Sequence, residues 1–272
     1  MNRFFVPRDA ISQSTIEISG NDLRHIRDVL RLGPGDHISV LDGYGNEYEC
    51  RISAIGHRAV RCEILSRSRR ASEPSIKISL VQGLPKGDKM DQVVRACTEL
   101  GVSEFFPAVT ERTVVRPDPA SAVKRVERLQ RIATEASKQS GRAVVPVVHR
   151  IEGLPQIVSM LRARPEASGG CGWIVPWELE NGEGLRQGLM RLRRAGHDIG
   201  DCDGNGQDPG DTGGGPGEIV CFIGPEGGLS RDEVAMIREA GGIPVSLGPR
   251  ILRTETAGIA VVSAVLYEFG DL

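Results

Sequence analysis

A small N-terminal β domain followed by a larger α/β domain on a parallel sheet is the fold class that the 272-residue sequence predicts, on three observations. Residues 37–65 carry short alternating runs broken by Asp42-Gly43 and Gly56, the pattern of an antiparallel barrel or meander. From Ile76 onward, strand-like runs alternate with helix-period runs, which implies a parallel sheet covered by helices. Between them the polar run Ser66 to Pro74 reads as a linker and divides the chain into residues 1–72 and 73–272. With 39% hydrophobic residues, the chain is long enough to bury one small core and one large one.

The elements follow in order. Phe4-Phe5-Val6 is a short apolar run, and Leu23, Ile26 and Leu30 share one face of a helix that Gly33 stops. Three alternating strands are expected at His37 to Leu41, Glu47 to Ile52 and Ala59 to Leu65. In the second domain a strand spans Ile76 to Gln82. A helix then turns Met90, Val93, Val94, Cys97 and Leu100 inward and ends at Gly101. A strand at Phe105 to Val109, helices near Ala120 to Lys138 and Leu154 to Arg162, and a strand at Trp173 to Pro176 come next. Residues 196–217 have almost no apolar content and abundant Gly and Asp, the composition of a flexible insertion. A calcium loop there is disfavoured, because the regular repeat and terminal Glu are missing.

Composition excludes several classes. No run approaches the roughly 18 apolar residues of a membrane span, and the first twenty residues lack the apolar centre of a signal peptide, so a cytoplasmic protein with no membrane partner is expected. Cys50, Cys62, Cys97, Cys171, Cys202 and Cys221 form no C-x-x-C pair, which suits reduced thiols and gives no metal site. A net charge of −2 argues against indiscriminate coating of nucleic acid. Basic residues nevertheless gather between Lys77 and Arg150, while Glu178 to Glu218 is acidic. Such a local basic face fits a selective RNA partner; the plainer alternative is a set of solvated helix faces.

Chemistry concentrates in the last fifty residues. The apolar strand Ile219 to Ile223 runs directly into Gly224-Pro225-Glu226-Gly227-Gly228, where glycines let backbone groups approach a ligand beyond the carboxyl end of a parallel strand. Ser230-Arg231-Asp232-Glu233 is a capping box for the next helix, which ends at Gly241-Gly242. A second copy of the arrangement follows: strand Ile243 to Leu247, loop Gly248 to Arg253, and Thr254 as N-cap of a last helix from about Glu255 to Phe269. That helix is apolar nearly all round and must be buried against the sheet, a partner subunit or both. A Gly-Pro loop alone is often only a turn, but nothing structural requires Arg250, Arg253, Thr254 and Glu255 to crowd the second one.

GPEGG at Gly224 to Gly228 with LGPRILRTETA at Leu247 to Ala257 resembles the signature of the bacterial 16S ribosomal RNA uridine N3-methyltransferase family, of the knotted SPOUT class. Arg3 to Val6, His25 to Arg31, Lys86 to Met90, Glu99 to Val102 and Lys138 to Arg142 are further matches. The resemblance covers nearly the whole chain and fails between about Glu180 and Gly217. It implies a PUA-like RNA-binding barrel at residues 1–72 and a SPOUT methyltransferase domain at 73–272, with a trefoil knot at about 219–272. It implies S-adenosylmethionine as cofactor, 16S ribosomal RNA in the assembled small subunit as partner, and a homodimer. On this resemblance Pro176, Gly224, Pro225, Glu226, Gly227 and Gly228 hold the cofactor from one side, and Leu247, Gly248, Arg250, Ile251, Leu252, Thr254 and Ala257 from the other. Arg3, Arg24, Arg27, Arg31, Lys86, Lys89, Lys138 and Arg142 are the expected RNA contacts.

Methylating N3 of uracil requires that an imide proton be lost or shared. Glu255 is the candidate proton acceptor, with capping of its own helix as the equal alternative. Arg253, whose guanidinium is a fixed fork of donors, is the candidate stabiliser of charge on the uracil oxygens. Nicotinamide and nucleoside-triphosphate chemistry lack their sequences here, since Gly83 to Lys89 fails the Walker spacing. The competing readings are a SPOUT enzyme for another RNA atom and a non-catalytic RNA-binding assembly protein.

Overall fold

The structure is a computed structural model that describes residues 2–69, 73–164, 170–197 and 216–272. Most of the expected insertion, residues 198–215, lies outside the described residues. The chain forms two compact units, Met1–Glu73 with Ser137–Val145, and Pro74–Ala136 with Pro146–Leu272.

The first unit is built on β1 (Arg3–Phe5), β2 (Thr15–Ser19), β3 (His37–Leu41), β4 (Asn46–Ile55) and β5 (Ala59–Arg69), paired in the order β1-β3-β4-β5-β2. All pairs are antiparallel except β1 with β3, which is parallel. The strict alternation Thr15-Ile16-Glu17-Ile18-Ser19 makes β2, a strand that sequence reasoning passed over, and buries Ile16 and Ile18. Helix α1 (Gly20–Arg24) runs into a π-helical turn at His25–Val29 that places Leu23 and Ile26 in the core. The expected linker begins too early, because β5 continues to Arg69 and pairs Ser66 with Glu49 and Arg69 with Asn46. Backbone pairing does not need apolar side chains, and polar cross-strand contacts such as Arg67 Nη2 to Asn46 Oδ1 (3.1 Å) serve this edge. Residues 137–145, which the sequence division gave to the second domain, belong to the first unit. Glu73 accepts hydrogen bonds from the Ala143 and Val144 N–H groups and from Arg142.

The second unit carries β6 (Lys77–Gly83), α2 (Lys89–Leu100), β7 (Glu104–Val109), α3 (Pro119–Ser140), β8 (Val147–Val148), β9 (Glu152–Gly153) and α4 (Leu154–Arg162). Then come β10 (Cys171–Pro176), α5 (Leu185–His197), β11 (Glu218–Ile223), α6 (Arg231–Glu239), β12 (Ile243–Val245) and α7 (Thr254–Glu268). Its sheet is parallel throughout, in the order β12-β10-β11-β6-β7-β8 with β9 beside β7. Alternate strand residues feed two cores. Ile78, Leu80, Phe105, Ile219 and Cys221 pack with α2, α5 and α7, while Val81, Phe106, Val220 and Phe222 pack with α4 and α6. Cover on both faces is why β11 is buried along its whole length and, from Ile219 on, reads as a continuous apolar run. Helix α5 was not expected, although Leu185, Leu189 and Leu192 stand at i, i+4, i+7 and pack into the first core. Among the described residues, no helix is long and apolar enough to cross a membrane. Cys50, Cys62, Cys97 and Cys221 are free and buried, and burial raises the Cys50 thiol to about 12 and that of Cys62 to about 11.

At the N-terminal edge of this sheet the first residues of β6, β7 and β11 form a charge network. Lys77 Nζ lies 2.8 Å from Glu104 and 3.4 Å from Glu218, Arg164 reaches both carboxylates at 2.7 and 3.3 Å, and His149 Nε2 lies 3.3 Å from Glu104. Burial alone would raise the Glu104 carboxyl, but hydrogen bonds from His149, Lys77 and Arg164 outweigh it and hold the group far below the usual carboxylate range. A depressed folded-state pKa contributes stability that is present above the unfolded value, about 4.3, and is lost as pH falls below it. Thermal melts are therefore expected to show the melting temperature falling below about pH 4.5. Glu104→Gln should cost about 3–5 kcal/mol at neutral pH and flatten that acid limb. An unchanged acid limb in the variant would remove Glu104 as its source.

Candidate active site

The loops that leave the carboxyl ends of β10, β11 and β12 enclose a cavity of about 590 Å³, within the range of small-molecule sites. Every residue expected to hold the cofactor lines it: Pro176 from β10, Gly224 to Gly228 after β11, Leu247, Gly248, Arg250, Ile251 and Leu252 after β12, and Thr254 and Ala257 on α7. Arg253 lines it as well. Trp177, Glu178, Glu180 and Asn181, from the loop after β10, line it too. No motif in the sequence marks that loop; only its place after a central strand does.

The first loop is held by its neighbours. The Gly228 N–H donates to the Pro225 carbonyl (2.9 Å), and Gly228 takes φ +69°, where a Cβ would also strike Glu178. Ser230 and Glu233 form the full capping box at the start of α6, and Glu233 also accepts from the Glu111 N–H at 2.8 Å. Arg112 donates to the Gly227 carbonyl at 2.7 Å. Glu226 accepts from Lys89 Nζ (2.7 Å) and from the Lys86 N–H (3.1 Å). Burial works against its charge, but these hydrogen bonds prevail and the carboxyl sits below its ordinary value. Lys89, expected among the RNA contacts, therefore points into the cavity wall: its ammonium serves Glu226 and lies 3.9 Å from Glu255. Lys86 remains exposed.

The second loop is open. Ile251 is 89% exposed, Gly248 has φ +95° with nothing within 4 Å of where a Cβ would stand, and Arg250 and Arg253 face solvent. Among the described residues, the backbone N–H groups of Leu247, Ile251 and Leu252 have no protein acceptor, which leaves polar backbone and apolar side chains together for a planar heterocycle. Thr254 is not the N-cap that sequence predicts. Arg253 holds that position with extended backbone, and Thr254 is the first helical residue, its hydroxyl donated instead to the Gly224 carbonyl at 2.6 Å. Glu255 does not line the cavity; its Oε2 is buried without a hydrogen-bond partner.

In the first unit Arg3, Arg24, Arg27 and Arg31 are exposed, Arg27 paired with Asp28 at 2.7 Å and Arg3 near Glu47 at 3.8 Å. Arg31 stands at φ +53°, just past the π-helical turn. Arg142 is 3% exposed and fixed to Glu73 at 2.7 Å, so it braces its own unit and is not presented to RNA. Lys138 is half-buried against Asp22 at 3.4 Å. In sequence such cations look like surface residues, because their carboxylates lie far away in the chain.

A model described as an RNA methyltransferase domain matches residues 72–179 and 198–266, and one described as an RNA methyltransferase PUA domain matches residues 18–65. The first leaves out residues 180–197, the end of the β10 loop and α5. The chain is 32% identical over 98% of its length to the ribosomal RNA small subunit methyltransferase E of Bacillus subtilis, covering 97% of that protein. It is 31% identical over 97% of its length to the protein of the same name from Synechocystis, covering 78% of it. A crystal structure of ribosomal RNA small subunit methyltransferase E from Neisseria gonorrhoeae, bound to S-adenosyl methionine, matches with a TM-score of 0.74 at 31% identity over 98% of this chain and 97% of that one. With a match to a PUA domain followed in the chain by a parallel sheet whose glycine loops enclose a cavity, the chain belongs to the RNA methyltransferase family of the ribosomal RNA small subunit methyltransferase E proteins.

Proposed function

We propose that the chain methylates N3 of a uracil in 16S ribosomal RNA of the small subunit, with S-adenosylmethionine as methyl donor. The observation that carries this reading is the single cavity wall formed by the GPEGG loop and the Leu247–Ala257 segment. The residues fit the cofactor. Leu247, Ile251 and Leu252 offer apolar contact with free backbone donors for adenine, and Gly224, Glu226 and Gly227 line the other end, for ribose and methionine. When bound, the cofactor supplies an electrophilic methyl on a sulfonium. Arg253 reaches over the uracil and stabilises the negative charge that grows on its carbonyl oxygens as N3 becomes nucleophilic. Glu255 takes the N3 proton through one bridging water, because its own side chain does not line the cavity. The chain from 219 to 272 ties the trefoil knot, supported by β10 lying between β11 and β12 although it precedes both. The working form is a cytoplasmic homodimer in which the exposed Arg3, Arg24, Arg27 and Arg31 of one subunit grip RNA at the other's site.

The test is transfer of labelled methyl to small subunits purified from cells lacking this protein, followed by mass spectrometry of the digested nucleosides. 3-Methyluridine is the expected product. A ribose-methylated nucleoside would overturn the target atom, and no transfer at all would overturn the reaction.

A further inference from the structure

Gln82 is the last side chain of β6 before Gly83 and is fully buried beneath the cavity, which it does not line. Its Nε2 donates to Thr254 Oγ1 at 2.8 Å and lies 3.1 Å from the Gly83 carbonyl and 3.4 Å from that of Gly224. Thr254 Oγ1 in turn donates to the Gly224 carbonyl at 2.6 Å. Three elements that meet nowhere in sequence, the end of β6, the loop after β11 and the first turn of α7, are thus joined through one amide and one hydroxyl. Gln82 Oε1 has no partner, although it is buried. An apolar residue of equal size would avoid that desolvation penalty, so the amide is explained by what its nitrogen does. The packing here is close: a Cβ on Gly258 would lie 3.3 Å from Gln82 Oε1, and one on Gly83 would lie 2.5 Å from Pro225 Cδ, so the end of β6 lies tight against the loop after β11.

We infer that Gln82 is a positioning residue that clamps the two cofactor loops together through Thr254. The clamp fixes the first turn of α7, and with it the flanking Arg253 and Glu255, against the Gly224 loop. Cofactor affinity and the placement of the reacting groups are thereby set by one buried network. The inference rests on the cofactor reading above, and its test includes a readout that does not.

The full chain is compared with Gln82→Leu, Thr254→Val, the double variant and Thr254→Ser. S-adenosylmethionine affinity is measured by calorimetry, methyl transfer in single turnovers at saturating cofactor, and amide hydrogen exchange of residues 224–229 without cofactor. Gln82→Leu and Thr254→Val are each expected to weaken the cofactor about tenfold and to slow the saturated single turnover by at least that factor. Exchange in the Gly224 loop should rise in both. The double variant should be no worse than the more severe single one, because both cut the same network. Thr254→Ser should regain most of what Val loses. Losses that multiply, or loop exchange and turnover that stay at the wild-type level, would overturn the clamp. If Gln82→Leu fails to fold, the Val and Ser variants decide: equal behaviour of the two overturns it. If the wild-type chain bound no S-adenosylmethionine, the cofactor reading would fall, while the exchange comparison would still decide the clamp.

Discussion

Arg253→Ala is expected to slow single-turnover methyl transfer by about a hundredfold to a thousandfold, the usual loss when one donor aimed at developing oxyanion charge is removed. S-adenosylmethionine affinity should change by no more than about threefold, because the interaction is made with the uracil as its charge grows. The geometry favours this separation. Arg253 lines the cavity, is exposed, and has no ion-pair partner among the described residues, so its charge is not committed to holding the fold. Its backbone is the extended N-cap of α7 at φ −65°, ψ 150°, a conformation that Ala adopts as easily. Arg253→Lys keeps the charge but loses the planar fork, and should recover only part of the rate. Turnover at the wild-type level in Arg253→Ala would take this residue out of the reaction.

Gly224→Ala should cost about 1–3 kcal/mol in stability and weaken the cofactor about tenfold to a hundredfold. An added Cβ would lie 2.7 Å from the Gly228 carbonyl carbon, 2.8 Å from the Leu229 nitrogen and 2.9 Å from the Gly228 Cα. All three are backbone atoms of the turn that Gly228 closes on Pro225, so no side chain can swing away to relieve the contact. Gly248→Ala is a useful contrast. Nothing lies within 4 Å of that Cβ, but φ is +95°, so the loss comes from backbone strain alone. Calorimetric titration with S-adenosylmethionine and thermal melts separate the two. Equal, small losses at both positions would show that the first loop relaxes freely and that its tight turn does not shape the site.

The C-terminal half was legible because several signals agree there. β11 is apolar from Ile219 to Ile223, the glycine and proline loops sit at strand ends, and the Ser230–Glu233 box appears in sequence as it does in space. β2 and α5 carry equally good signals, in Ile16 and Ile18 and in Leu185, Leu189 and Leu192, but β2 is only five residues long and α5 runs straight into the Gly- and Asp-rich stretch that dominates the composition there. Other features have no local signal. Lys89 and Arg142 read as surface cations until the fold brings Glu226 and Glu73 to them. Thr254 sits one residue before the predicted helix, as an N-cap would, yet its hydroxyl turns to a carbonyl thirty residues earlier. Gln82 looks like any polar residue at the end of a strand.

The placement of β10 between β11 and β12 bears on the order in which the protein is made. Both glycine loops follow β10 in the chain, and each takes its position from a strand that must pair with β10 on one side or the other. A nascent chain synthesised as far as Pro176 has the strands of the first unit and β6 to β10, but no pocket. The cavity closes only when β12 has docked on the far side of β10 and α7 has packed onto α2. Until then the apolar residues of α7 are without their cover, which is the interval in which this chain is most exposed to aggregation and to chaperones.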